Sequence, residues 1–423
     1  MRVVQMVIVV FFFGSFSTTH SQEALRNYAD AIGLNIGVCM GTNFDWNVQE
    51  HNNLVKREFN MVVAENSMKA ASIHPSKGVT NFSGPDKLVQ FAKDNNMKVR
   101  GHTLVWHNQN AGWICTGDRK TSLANMKYHI ETVVGHFKGK IAQWDVVNEA
   151  FEGSELRNSV WTQSIGDDFI DSAFVYAHAA DPDCKLFYND YSTSHINSKS
   201  TAIYNMVKRM KANGIPIDGV GFQSHQSTSD ADPNFYSKLK ENFTRFAELG
   251  IELAITELDV KGSDFTAQAN VYSDYMRVAL EMPEVTTYMI WGVRDQDSWV
   301  SPTPLIFDNN WQPKSAYDAI LALLKDPPEE DAPVATVPGY RYSRSIPRDL
   351  FYNPANDMIT LTGSTGNGTA ALERFNLKGV RTATAVIPVN RSIHVPSRGR
   401  ANGTSVIRVN GETIRVNSLN GRH

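Results

Sequence analysis

Eight short β-branched runs, separated by longer amphipathic stretches, fill residues 22–326 and constrain the fold more than any other feature of the chain. The runs are Asn35–Met40, Met61–Ala64, Lys98–Trp106, Ile141–Asn148, Lys185–Asn189, Gly219–Ser224, Glu252–Glu257 and Thr287–Gly292. Between them Pro85–Asn95, Leu123–Phe137 and Lys199–Asn213 read as helices. Strands separated by helices pair in parallel through crossovers, and eight of them predict an α/β fold closed as a (β/α)8 barrel of the TIM type. Near-continuous apolar runs suit strands covered on both faces. A length of 423 residues accommodates one such barrel plus an appendage. Hydrophobic content of 42% and charged content of 20% belong to a chain with a sizeable core.

The two ends differ from this middle. Residues 1–21 read as a signal peptide: Met1-Arg2, a short apolar run from Val3 to Phe13, then small polar residues, with cleavage expected between about Ser17 and Gln22. The run falls short of the ~20 residues a membrane span needs. Five N-x-Ser/Thr sequons (Asn81, Asn242, Asn367, Asn390, Asn402) agree with a secreted, extracellular glycoprotein. Cys39, Cys115 and Cys184 cannot all pair, and buried free thiols are expected at Cys39 and Cys184. Residues 327–339 form a proline-rich acidic linker. Residues 340–423 read as a small, β-rich, Arg-rich extension, with a hairpin turn expected at Val409-Asn410-Gly411-Glu412. Twelve basic against four acidic residues give this tail +8, so the remainder carries −11 of the total −3. That net charge steers toward neither nucleic acid nor membrane. No phosphate-cradling loop and no metal-ligand spacing appears, so neither a cofactor nor a metal is expected, and a monomer is.

In a barrel of this kind, side chains at the C-terminal strand ends face the active-site mouth. The fourth run ends in Asn148-Glu149 and the seventh in Thr256-Glu257, followed by Asp259. Two carboxylates on well-separated strands can face one another across a cleft, as cleavage of a glycosidic bond requires. One supplies a proton to the leaving oxygen, and the other attacks or activates water. Histidines and tryptophans stand at the other strand ends, and flat rings suit the apolar faces of pyranoses.

On these motifs the stretch from Leu25 to Leu324 resembles glycoside hydrolase family 10, the endo-xylanase barrels. The resemblance implies a retaining endo-β-1,4-glycanase with Glu149 as acid/base, Glu257 as nucleophile and carboxyl groups roughly 5–5.5 Å apart. Asn148 would then bind the sugar 2-hydroxyl, while His225, held by Asp259, keeps Glu257 ionised and oriented, with Gln223 on the same face. Glu65, Asn66 and Lys69 in Glu65-Asn-Ser-Met-Lys69 resemble the clamp for the second glycone sugar. His102, Trp106 and Gln109, together with His107 and Trp113, match the family's third-strand segment. Tyr191 offers an aglycone stacking face, Trp291 a floor under the reacting sugar and Trp299 a cover for the next, whereas Trp144 and Trp161 are expected in the core. Two departures, Ala70 where tryptophan is frequent and Ala111 where proline is usual, are expected to loosen or widen subsites. The substrate implied is a β-1,4-linked polysaccharide, xylan or with it glucan. A mixed xylan/cellulose enzyme or a β-1,4-glucanase is the near alternative. A catalytically silent carbohydrate-binding or matrix protein on the same scaffold is the distant one.

Overall fold

The computed structural model describes residues 23–41 and 46–328 and, from residue 350 on, the backbone of seven strands. The signal-like residues 1–21, linker residues 329–339, the turn residues Asn410 and Gly411, and the sequons at Asn367, Asn390 and Asn402 lie outside the described residues.

Each apolar run forms a strand. These are β1 (Asn35–Met40), β2 (Met61–Ala64), β3 (Lys98–Trp106), β4 (Gln143–Asn148), β5 (Lys185–Asp190), β6 (Gly219–Phe222), β7 (Glu252–Lys261) and β8 (Val285–Ile290). They pair in parallel in chain order, and β8 returns to β1, so the sheet closes. All six residues of β1 and all six of β4 are buried, because helices cover the outside while side chains fill the inside. The helices at Ser83–Asp94, Arg119–His136 and Ser198–Ala212 fall within a few residues of their expected limits. Asp118 caps the second by accepting from Thr121 N at 2.8 Å, and Asn197 caps the third by accepting from Ser200 N at 2.8 Å.

One strand runs longer than its sequence suggests. β7 continues past Glu257 to Lys261 because Asp259–Lys261 pair with a short parallel strand at His225–Ser227. Ser224, with φ 64°, breaks β6 from that strand and re-aims the chain. The extension brings His225 opposite Asp259.

Trp144 and Trp161 are core residues, at 0% and 1% exposure. Trp144 lies flat on β3 at Gly101, where a Cβ would stand 2.1 Å from its ring, so only glycine admits it. Inside the barrel a polar ladder replaces part of the apolar filling. Arg100, 1% exposed, donates to both carboxylate oxygens of Asp145 and to Gln143 Oε1 (2.6 Å). Asp145 Oδ2 also lies 3.0 Å from His102 Nδ1, which ties the core charge to the mouth. Burial pushes the Asp145 carboxyl up, but Arg100 and His102 outweigh it and hold it below its usual value. It therefore contributes stability above the unfolded carboxyl pKa and loses it as pH falls through the folded value. Asp145→Ala leaves the Arg100 charge buried without its partner and is expected to cost about 3–5 kcal/mol, read as a drop in urea midpoint at neutral pH.

Cys39 and Cys184 are buried free thiols and Cys115 is free as well. Burial pushes Cys115 and Cys184 up to about 12, which leaves both unreactive at neutral pH. Asn242 corrects the sequon expectation. It is wholly buried in the helix Phe235–Ala247, and its Nδ2 donates to Thr193 O (2.7 Å) and Ser194 O (3.2 Å), so no glycan can be carried there. Asn81 is exposed.

The C-terminal strands form two antiparallel sheets, in agreement with the β-rich expectation. One joins Leu350–Asn353, Met358–Leu361 and Ser392–His394. The other joins Arg381–Pro388, Thr369–Phe375, Ser405–Val409 and Glu412–Val416. In the last pair Val409 stands opposite Glu412, the register that a two-residue hairpin loop sets.

Candidate active site

Glu149 directly follows β4, and Glu257 lies within β7 just before its extension. Glu149 has φ 55°, a left-handed conformation that costs a residue with a side chain about 1–3 kcal/mol. Its Oε2 accepts from Trp106 Nε1 at 2.8 Å, and its Oε1 accepts from Gln223 Nε2 at 3.0 Å. Its side chain keeps 15% of its surface open, against 7% for Glu257.

Three amides join the two carboxylates. Asn189 Nδ2 donates to Glu257 Oε1 (2.8 Å) and to Asn148 Oδ1 (2.9 Å), and Gln223 Nε2 donates to Asn148 Oδ1 (3.1 Å) and Glu149 Oε1. Asn189 is itself oriented by Thr256, whose hydroxyl donates to its Oδ1 at 2.7 Å. With its oxygen doubly engaged, Asn148 presents its NH2 as a donor, and that group has only a long 3.4 Å contact to Glu149 Oε1. Buried amides satisfied in this way hold a single arrangement. Gln223 is 2% exposed and its amide already serves Asn148 and Glu149, so it holds the carboxylates rather than facing a sugar.

On the far side of Glu257, His225 Nε2 lies 3.3 Å from Glu257 Oε2 and Nδ1 lies 3.0 Å from Asp259 Oδ2. The Nδ1 contact is an ion pair rather than an aligned hydrogen bond. Burial works against the imidazolium, yet Asp259 and Glu257 outweigh it and raise His225 from 6.5 to about 10. The sign follows. The pairing contributes its full stability below the unfolded value and loses it as pH rises through about 10. Asp259→Asn removes the larger partner charge, so the His225 resonance in an NMR titration is expected to move well below about 10. An unmoved titration would show that Glu257 alone sustains the charge.

The residues expected to grip the second glycone sugar form a second group. Lys69 Nζ donates to Asn66 Oδ1 and Gln109 Oε1, both at 2.9 Å, and lies 4.6 Å from the Trp106 ring centroid. Burial lowers its ammonium against the pull of Glu257 and Glu65. Glu65 lines a cleft with Cys39, Trp291, Trp299 and Arg294. Trp291 is 8% exposed and packs edge-on against His102 at 5.4 Å, whereas Trp299 is 57% exposed. Trp299 Nε1 donates to Asp259 Oδ2 at 2.8 Å, so one carboxylate orients both His225 and the tryptophan. His107 Nδ1 stands 3.9 Å from Glu149 Oε2, with its pKa lowered by burial and by Arg157. Trp113 is turned away, donating to His74 O at 2.8 Å. Ala70 and Ala111 are buried, and beside them Ala71 N donates to Gln109 O at 2.8 Å, which ties together the backbones of the two segments that carry these departures.

On the other side of Glu149, Tyr191 has Lys199 Nζ 3.3 Å from its ring centroid, so one of its faces is taken. Its hydroxyl accepts from Arg157 at 2.8 Å. The sequence reading did not single out Asn189, Arg157 or Lys199. Asn189 was findable, since it is a polar residue at the end of a buried strand like Asn148. Arg157 and Lys199 come from a loop and a helix and carried no such signal.

Residues 24–323 match the profile of Glycosyl hydrolase family 10. Endo-1,4-beta-xylanase B of Thermotoga neapolitana is 40% identical over 340 residues, covering 75% of this chain and 97% of the relative. Beta-1,4-xylanase of Dictyoglomus thermophilum is 39% identical over 298 residues, covering 64% of this chain and 84% of the relative. The solved structure of xylanase 10B from Thermotoga petrophila RKU-1 in complex with xylobiose superposes with a TM-score of 0.68 at 40% identity. The alignment spans 71% of this chain and 97% of that one.

Proposed function

From the premise that this chain is a glycoside hydrolase belonging to glycosyl hydrolase family 10, we propose that it cleaves internal β-1,4 bonds of xylan with retention of configuration. The observation that carries this reading is the pair Glu149 and Glu257, spanned by Asn189, Asn148 and Gln223 at the mouth of the barrel. Support for the substrate comes from the xylanases it matches and from the xylobiose bound in one of them.

In the first step Glu257 attacks the anomeric carbon while Glu149 gives a proton to the departing glycosidic oxygen, leaving a covalent glycosyl-enzyme. In the second step Glu149 takes a proton from water, which attacks the same carbon and frees Glu257. The Asn148 NH2 group meets the sugar 2-hydroxyl, whose hydrogen bond strengthens as charge develops on the ring. Asn189 and His225 grip the two oxygens of Glu257 so that the attacking carboxylate needs no reorientation.

Reducing-sugar release is expected from xylan well above that from carboxymethyl cellulose. A sugar pocket excludes a hydroxymethyl group by only about 1–3 kcal/mol, so a ratio of roughly 10–200 is the scale to look for. Equal rates would move the assignment to a mixed β-1,4-glycanase. Binding of xylan without release would move it to a silent carbohydrate-binding protein. Proton NMR at early times is expected to show the β-anomer first, the outcome of a double displacement in which Glu257 is the nucleophile. An initial α-anomer would overturn the retaining assignment. We also read residues 1–21 as an export signal. It predicts that the protein recovered from the medium begins near residue 22 by mass spectrometry.

A further inference from the structure

The left-handed backbone at Glu149 is enclosed by a closed circuit of contacts, none of which touches the carboxylate itself. Ala150 N donates to the Tyr188 hydroxyl at 3.0 Å, and that hydroxyl donates to Asp190 Oδ2 at 2.5 Å. Asp190 Oδ1 lies 2.7 Å from Lys199 Nζ and accepts from Tyr191 N at 2.9 Å. The Lys199 ammonium sits on the Tyr191 ring, whose hydroxyl accepts from Arg157. Arg157 closes the circuit: its Nε donates to Glu149 O at 3.2 Å, and its backbone N donates to Ala150 O at 2.7 Å. Tyr188, Asp190 and Lys199 are all buried.

A buried lysine–aspartate pair is costly to desolvate unless further hydrogen bonds satisfy it, and Asp190 has two more, from the Tyr188 hydroxyl and Tyr191 N, which makes the group a firm support. Here Glu149 needs that support. Its φ of 55° is an unfavoured conformation, and a carboxyl that must reach a glycosidic oxygen tolerates little displacement. We propose that Tyr188, Asp190, Lys199 and Arg157 are positioning residues for the acid/base, holding the Glu149–Ala150 peptide in place. The inference rests on the reading of Glu149 as acid/base.

The test compares the full-length protein with Tyr188→Phe, which removes one hydroxyl and keeps the ring, on two substrates. One is xylotetraose, whose leaving sugar needs a proton, and the other is dinitrophenyl xylobioside, whose leaving group does not. A shift in aim is expected to lower kcat/KM for xylotetraose by about 10–100-fold and to leave the dinitrophenyl substrate within about threefold. An equal fall on both, or no fall on either, would overturn the proposal. Lys199→Met, measured in the same way, provides a second variant should Tyr188→Phe fold poorly, and the same selective loss is expected of it. Glu149→Ala run in parallel separates the two levels of inference. If it discriminates between the substrates and both variants do not, the positioning role fails alone. If it does not discriminate, the acid/base assignment falls first.

Discussion

Replacing Glu257 by alanine is expected to lower kcat by about 10^5-fold or more on every substrate, activated or not. The reason is that, among the described residues, those that touch the Glu257 carboxylate cannot take over its bond to the sugar. Asn189 and His225 already grip the two oxygens of Glu257, and both are donors rather than nucleophiles in this arrangement. Asp259 faces His225 and Trp299 instead of the sugar. The variant is to be assayed on xylan and on a dinitrophenyl xylobioside, with circular dichroism confirming an intact barrel. Azide, which needs no activation, is expected to enter the vacated space and to release the glycosyl azide of inverted configuration. Activity within tenfold of the parent on either substrate would mean that Glu257 is not the nucleophile.

Glu149→Ala is expected to divide the substrates instead. On xylan, where the departing sugar must be protonated, kcat/KM is expected to fall by about 10^2–10^4-fold, the usual worth of general acid catalysis. With dinitrophenolate as leaving group no proton is required, and kcat/KM is expected to stay within about tenfold of the parent. In that case kcat falls together with KM, because the missing base slows attack of water and the glycosyl-enzyme accumulates. Azide restores kcat with the β-azide as product. Comparable losses in kcat/KM on both substrates would remove Glu149 from the acid role. Trp106 and Gln223, whose hydrogen bonds now end on the Glu149 carboxylate, would lose their acceptor in this variant. A modest loss of stability is therefore expected beside the kinetic effect.

The barrel was legible because its physics is local and repetitive. β1, β2 and β3 lie where their apolar runs end, since a strand buried on both faces stops where polar residues begin. β7 ran beyond its expected end because its last residues pair with His225–Ser227, and a pairing between distant segments leaves no periodicity in either one. The same contrast holds in the site. Glu149, Glu257, Asn148 and His225 announce themselves at the ends of strands, and the structure brings them together. The amide of Gln223, expected on the face of His225 and Glu257, joins Asn148 to Glu149, since partners 74 and 75 residues away are decided by strand order. The sequon at Asn242 looked like its four counterparts, but burial on the inner face of a helix is a tertiary property that a three-residue pattern does not carry.

What the sequence determined by itself is the number and order of strands, the residues at their C-terminal ends, and hence the chemistry offered at one mouth. Alternation of apolar runs and the composition of strand ends are properties of neighbours along the chain. Closure of β8 onto β1 and the amide bridge between the carboxylates were decided only by the tertiary structure. So were the charge of His225 between Asp259 and Glu257, and the circuit behind the strained Glu149 backbone. Each of these depends on groups from different elements of the fold meeting at close range, and on burial lowering the dielectric around them, conditions that exist only once the barrel is closed.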